Sequence, residues 1–230
     1  MMFFDPQYFL WVLIPTLVIS GAVQLYMKST FSKWGQVRNG AGLTGGQVAN
    51  TIFARTSLQS VPLRAVPGKL SDHYDPRSNT VGLSQDVGGG TSVVAMAVTA
   101  HELGHVQQQQ QGSALMGLRQ FLVPAVRFSP MLSYGLIVMG LLFNMVGLAW
   151  LGVIVFGISV IFMLVTVPVE LDASRRAMKL LDESGLLVSD EDRAGARSVL
   201  NAAALTYVAA AVTAILQFLY YLSLVQRSRR

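Results

Sequence analysis

Two of the three histidines in this 230-residue chain stand four positions apart, with a glutamate between them. They lie in the stretch TAHELGHVQQQQQG, which begins at Thr99. Residues four apart on a helix share one face, one turn apart, so His101 and His105 can present both imidazoles to one metal ion. Glu102 can then act as the general base toward a metal-bound water. This pattern predicts a zinc-dependent hydrolytic site, and the alternative is a solvated helix with two incidental histidines.

A catalytic zinc ion needs a third protein ligand and one open position. No histidine follows His105 and the chain has no cysteine, so an acidic residue must complete the site. The first two carboxylates after the motif are Glu170 and Asp172, in VPVELDASRRA. We expect Glu170 to be the ligand, because Asp172 lies about 200° further round a helix and should point away. The alternative is that these acids only stabilise a helix N-terminus.

Other polar residues near the motif have weaker functional interpretations. His73 and Tyr74, in SDHYDPR, could donate hydrogen bonds to the oxyanion formed during peptide hydrolysis. The alternatives are a structural histidine in a turn and a tyrosine ring packed over that turn. We interpret the run Gln107–Gln111 as the solvated end of the motif helix, and Arg175 and Arg176 as juxtamembrane anchors.

The composition indicates a membrane protein. Hydrophobic residues make up 52% of the chain and charged residues only 13%, whereas soluble domains carry about 25% charged residues. The net charge of +5 comes from basic residues that flank apolar stretches and do not form a stripe interleaved with aromatic residues. The charge therefore indicates membrane topology and a lipid environment, and we expect no nucleic-acid partner.

The apolar stretches predict about four transmembrane helices. The first is Tyr8–Met27; a cleaved signal peptide is the alternative, but no basic residue precedes Lys28. Two spans fit the charge-free residues 128–169 and one fits Leu200–Val225, and the lack of ionisable residues within the spans disfavours a transporter. The predicted organisation is an anchor at 1–27, a catalytic segment at 28–127, a transmembrane hairpin at 128–169, a juxtamembrane segment with the third ligand at 170–199, and a final span with a basic tail at 200–230.

The polar segment between the first two spans has mixed α and β signals. LTGGQVANTIFART predicts a short helix with Thr44 as its N-cap. SVPLRAVPG and TVGLS predict short strands, and DHYDPRSN between them is typical of a turn. TSVVAMAVTAHELGHVQQQQQ then predicts the helix that carries the motif. We therefore expect a small α+β catalytic segment.

Four pieces of the sequence resemble the YugP-type membrane zinc metallopeptidases, also called neutral zinc metallopeptidases. These pieces are LTGGQVA, VPGKLSDHYDPRSNTVGLS, AVTAHELGHVQQ and PVELDASRRA, in that order between Leu43 and Ala177. The family is similar in layout to HtpX-type membrane proteases, whose third ligand is the Glu of an ExxxD-like helix. Glu170 matches that Glu, whereas Ser174 stands in the place of the later Asp. The resemblance implies a zincin-like, gluzincin-type endopeptidase with one catalytic zinc ion and a protein or peptide substrate, membrane-bound substrates included.

The positive-inside rule predicts the orientation of the chain. No basic residue precedes the first span, while Lys28, Lys33 and Arg38 follow it, so the N-terminus should lie outside. The active site would then face the cytoplasm, in a bacterial plasma membrane, although the basic tail QRSRR would end outside, against the rule. The alternative function is a proteolytically inactive zinc-binding membrane scaffold. The presence of Glu102 favours the enzyme, because a scaffold needs the ligands but not the base.

Overall fold

The computed structural model describes residues 5–228, which are mostly α-helical. The first helix contains a π-helical stretch at Phe9–Leu13. In chain order the elements are α1 (Pro6–Gln36), α2 (Gly45–Arg55), β1 (Leu63–Val66), β2 (His73–Asp75), β3 (Thr80–Ser84), α3 (Gln85–Gly88), α4 (Val93–Gln110), α5 (Ala114–Leu142), α6 (Val146–Glu183) and α7 (Asp190–Arg227).

Four of the helices within residues 5–228, namely α1, α5, α6 and α7, are long and apolar enough to cross a membrane. The small sheet lies between the first and second of them in the chain. The prediction of an α-helical membrane protein with four spans and an intervening α+β segment is therefore confirmed.

The helices extend beyond the apolar stretches that revealed them. Helix α6 continues from the apolar residues through Glu170 to Glu183, because the added residues favour helix and form the ion pairs Asp172–Arg176 and Lys179–Glu183. It ends where Gly185 adopts a positive φ of 68° and Leu186 donates its N–H to the carbonyl of Leu181. One helix therefore contains both the span and the predicted third ligand.

The chain forms two compact units, each with its own core. The membrane-helix unit contains residues up to Val23, Gly117–Pro168 and residues from Thr206, and Ile137 and Val153 are among its buried residues. The site unit contains Gln24–Met116 and Val169–Leu205. The motif helix and Glu170, which together supply the predicted metal ligands, both belong to the site unit.

Local capping defines where the helices of the site unit begin. The Thr44 hydroxyl accepts a hydrogen bond from the backbone N–H of Gln47, and the Gln47 side chain accepts one from the Thr44 N–H. This capping box confirms the predicted start of α2. Ser92 caps the motif helix α4 by accepting from the N–H of Ala95.

The sheet has the strand order β1–β3–β2, with β1 parallel and β2 antiparallel to β3. The strands predicted around SVPLRAVPG and TVGLS are confirmed by β1 and β3. The prediction that all of DHYDPRSN is turn was wrong for His73–Asp75. These residues pair with Thr80–Gly82 and bury Tyr74, so the turn is confined to residues 76–79, where Asn79 has a φ of 51°.

The motif helix α4 lies inside the core of the site unit. Its Met96 and Leu103 are fully buried, as are Ile52 of α2 and Leu180 of α6. Apolar contacts on several sides fix this helix in place, so the polar residues that it carries are presented from a rigid support.

Candidate metal centre

Three potential ligands meet between α4 and α6. The ligand atoms of His101, His105 and Glu170 all lie within 4.8 Å of one another, and these residues form the one group of metal-ligating side chains found within residues 5–228. The Nε2 atoms of the two histidines lie 3.2 Å and 3.5 Å from the same Glu170 oxygen, Oε2. The structure thus brings together the three residues that the sequence predicted as ligands.

The two helices approach closely because Gly104 has no side chain. A Cβ atom at Gly104 would lie only 2.4 Å from the backbone oxygen of Ala173 on α6. Glu170 lies almost one turn before Ala173, on the part of α6 that faces the motif helix. This backbone contact therefore sets how far Glu170 stands from the two histidines.

Both ligand histidines have a partner for the second ring nitrogen. The Nδ1 atom of His101 lies 3.3 Å from the hydroxyl oxygen of Ser174. In His105, Nδ1 lies 2.9 Å from the side-chain oxygen of Gln108. Such contacts orient imidazoles toward a metal. Ser174, which replaces the aspartate of the ExxxD-like pattern, therefore still contacts a ligand histidine.

Gln108 corrects one interpretation made from the sequence. The run Gln107–Gln111 was expected to be the solvated end of the helix, but Gln108 is fully buried. It follows His105 by three residues, so it lies on the ligand face of α4 and is shielded by α6. The spacing His101, His105, Gln108 was the sequence signal that could have revealed it.

Arg176 also departs from its expected role as a membrane anchor. Its Nε atom donates to Asp172 over 2.6 Å, and its Nη1 atom donates to the side-chain oxygens of Gln107 and Gln111. Arg176 therefore ties the end of α4 to α6. Arg175, by contrast, is mostly exposed and lies 3.9 Å from Asp172.

The ionisation of the site follows from these contacts. Burial by itself raises the pKa of the Glu170 carboxyl, but hydrogen bonds and charge from His101 and His105 outweigh it and hold the pKa well below its usual range. Burial lowers the pKa of His105, yet its hydrogen bond to Glu170 and the charges of Glu102 and Glu170 leave it raised. At neutral pH the centre thus contains an ionised, buried carboxylate.

Glu102 lies beside the ligands but is not one of them. The residue is only 7% exposed, and among residues 5–228 no hydrogen bond or ion pair to another residue is found for its carboxylate. Its negative charge acts on the neighbouring His105. Glu102 is therefore a carboxylate whose acceptor atoms are available to a bound molecule.

His73 and Tyr74 lie on strand β2, outside the ligand group. The Tyr74 ring is buried and its hydroxyl donates to Asn79 over 2.8 Å, so this hydroxyl is engaged within the turn. His73 is exposed, and its Nδ1 donates to the carbonyl oxygen of Ser71 over 2.8 Å. In a neutral ring this leaves Nε2 as an acceptor, so donation from Nε2 to an oxyanion requires the protonated imidazole.

The donor set fits zinc. A tetrahedral site with zinc–ligand distances of about 2.1 Å places its ligand atoms about 3.4 Å apart, and the carboxylate oxygen of Glu170 already lies 3.2 Å and 3.5 Å from the two imidazole nitrogens. Two imidazoles and one carboxylate also match the ligands of catalytic zinc sites that keep a fourth position open.

The sequence matches known proteins over nearly its whole length. Residues 9–226 match the family described as "Putative neutral zinc metallopeptidase". The chain is 37% identical over 221 residues to "Putative membrane protease YugP" of Bacillus subtilis (strain 168), a match that covers 96% of this chain and 98% of that relative. No solved structure matches the chain.

Four apolar helices and a buried His–His–Glu centre define a helical membrane protein with the ligand set of a zinc peptidase. The chain belongs to the neutral zinc metallopeptidase family. The resemblance seen in its motifs is thereby confirmed.

Proposed function

We propose that the chain is an integral-membrane endopeptidase that uses one zinc ion, held by His101, His105 and Glu170, with Glu102 as its general base. The observation that carries this proposal is the convergence of two Nε2 atoms on one buried carboxylate oxygen, at separations suited to zinc. The family description and the name of the Bacillus relative support the same chemistry.

The metal ion and Glu102 have separate roles in the proposed hydrolysis. When bound, zinc supplies Lewis-acid chemistry that makes a peptide carbonyl more electrophilic and water more acidic. Glu102 accepts the proton from the attacking water and passes it to the departing amine. Because Glu102 is mostly buried, bulk solvent does not compete for its carboxylate. No hydrogen bond to another residue has to break before this carboxylate accepts a proton.

The substrate class follows from this chemistry and from the membrane helices. We infer that the substrate is a protein or peptide, membrane-bound substrates included. From the basic residues after the first span we infer that the centre faces the cytoplasm.

Replacing Glu102 with glutamine tests the proposed base. The amide keeps the shape of the side chain but cannot accept the proton, so we expect zinc to remain bound while hydrolysis falls by about two to four orders of magnitude. The measurement is cleavage of unfolded casein by protein purified in detergent, with zinc content determined on the same sample. Glu191→Gln, at an exposed position of α7, is the matched control and should retain full activity.

Two results would contradict the proposal. Full activity of Glu102→Gln would show that Glu102 is not the base. Wild-type protein that binds zinc but cleaves no protein or peptide would indicate the zinc-binding scaffold.

A further inference from the structure

The side chain of Gln108 is fully buried beside a predicted zinc ligand and makes three hydrogen bonds there. Its Nε2 group donates to the backbone oxygen of Val169 over 2.8 Å and to the Asp172 carboxylate over 2.9 Å. Its Oε1 atom lies 2.9 Å from Nδ1 of His105. A buried amide with every contact on the ligand side of the helix is poorly explained by packing alone, since an apolar side chain would fill the same space.

These contacts fix the orientation of the Gln108 amide. A backbone oxygen and a carboxylate can only accept hydrogen bonds, so the atom facing Val169 and Asp172 must be the NH₂ group. The amide oxygen must then face His105. A flipped amide would place its oxygen against two other oxygens and make both of those contacts unfavourable.

The orientation of the amide in turn fixes the proton of His105. Because Oε1 of Gln108 is an acceptor, the Nδ1 atom of His105 must carry the hydrogen. The lone pair of the neutral ring then lies on Nε2, which is the atom that points at Glu170. This is the tautomer that a metal bound at Nε2 requires.

A charged pair supports the amide from the other side. Asp172 accepts from Gln108 and also from Arg176, whose Nη1 donates back to Gln107 of α4 and to Gln111, the residue that follows α4. Gln108 and Arg176 bond to the same oxygen of Asp172, Oδ2. Because a guanidinium can only donate, this oxygen is an acceptor.

We infer that Gln108 is a positioning residue for the zinc centre: held by Val169 and Asp172, it fixes the Nδ1–H tautomer of His105 and so presents Nε2 to the metal. This inference rests on the zinc site of the proposed function. Zinc affinity of wild-type protein is therefore measured first, and a wild-type protein that binds no zinc contradicts the proposed function itself.

The first test compares Gln108→Met with Gln110→Met. Methionine fills a similar volume but offers no acceptor to His105, so we expect zinc affinity, measured by chelator competition, to fall about 10–100-fold. Gln110 lies on the same helix and exchanges two hydrogen bonds with the backbone of Gln59, away from the ligands. Gln110→Met should bind zinc as tightly as wild type.

Asp172→Asn provides a conservative second variant. The asparagine oxygen can take the place of Asp172 Oδ2, which accepts from both Gln108 and Arg176, so the amide of Gln108 keeps its orientation. We expect zinc affinity within about threefold of wild type, since the hydrogen bond to His105 that orients the ligand is kept.

A spectroscopic readout separates positioning from general stability. In zinc-loaded protein with ¹⁵N-labelled histidine, the Nδ1–H proton of His105 should give a slowly exchanging resonance, which persists in a His73→Gln background. Gln108→Met should lose it, whereas Gln110→Met and Asp172→Asn should keep it. Wild-type zinc affinity and an unchanged resonance in Gln108→Met would overturn the inference. A Gln108→Met protein that does not fold leaves the decision to zinc-loaded wild-type protein, where a His105 ring that carries its proton on Nε2 would overturn the inference.

Discussion

Two carboxylates only two residues apart on α6 have very different surroundings. Glu170 is 1% exposed and contacts both motif histidines, whereas the side chain of Asp172 is one-third exposed and bonds to Gln108 and Arg176. The helical rotation between them accounts for this separation. Their roles therefore differ although their chemistry is the same.

Glu170→Ala should lose zinc as well as activity, because only the two histidines would remain as protein ligands. Asp172→Ala should keep the metal with weaker affinity and part of the activity, since it disturbs the support of Gln108 and the bond to Arg176 but removes no ligand. Metal analysis of the purified variants decides this, with Glu183→Ala, an exposed position further along α6, as control. The reverse order of zinc loss would make Asp172 the ligand.

The spacing of residues in the sequence predicted the metal ligands but not the side chains that hydrogen-bond to them. The HExxH motif points to His101 and His105 because the helical repeat alone puts them on one face. Ser174 gave no comparable signal, and the spacing of Gln108 from His105 gave only a weak one, since neither residue type is a metal ligand and their roles depend on which helix packs against α4. A glutamine run reads as solvated until the partner helix that buries one of its members is known.

At the scale of elements, the close contact of α4 and α6 at Gly104 controls the geometry of the centre. A Cβ added there would meet backbone, which cannot move aside as the end of a flexible side chain can. The helices would have to separate, carrying Glu170 away from the histidines. Gly104 therefore positions the third ligand without contacting it.

Gly104→Ala should lower both stability and zinc affinity. Overpacking of this kind costs about 1–3 kcal/mol, which thermal unfolding in detergent would register as a lower Tm. Gly117→Ala is the matched control, because a Cβ at Gly117 on α5 meets nothing within 4 Å. A Gly104→Ala protein with wild-type Tm and zinc affinity would show that this contact does not set the site.

Element boundaries were less predictable than element types. Hydropathy locates apolar stretches, but it does not detect that α6 runs on through charged residues to Glu183 or that α7 begins at Asp190. Helix propensity and capping decide those ends. Strand β2 was not predicted, because its three residues belong to a stretch dominated by turn-forming residues. Pairing with β3 holds these residues in the strand.

For the whole molecule, the four apolar helices and the excess of basic residues after the first span predict which side of the membrane each polar segment faces. The chain contains no cysteine, so single introduced cysteines report on one position each. Ser60→Cys probes the exposed segment between the first two spans, and Ser228→Cys probes the exposed tail. An impermeant thiol reagent should label Ser228→Cys in intact cells and Ser60→Cys only after the cells are opened. Labelling of Ser60→Cys in intact cells would reverse the orientation.

Peptide-bond hydrolysis before and after removal of zinc tests the central claim most directly. Purified wild-type protein in detergent should hold about one zinc ion per chain and cleave unfolded casein. A chelator that strips the metal should abolish cleavage, and return of one equivalent of zinc should restore it. Unchanged cleavage by protein that metal analysis shows to be free of zinc would contradict the account.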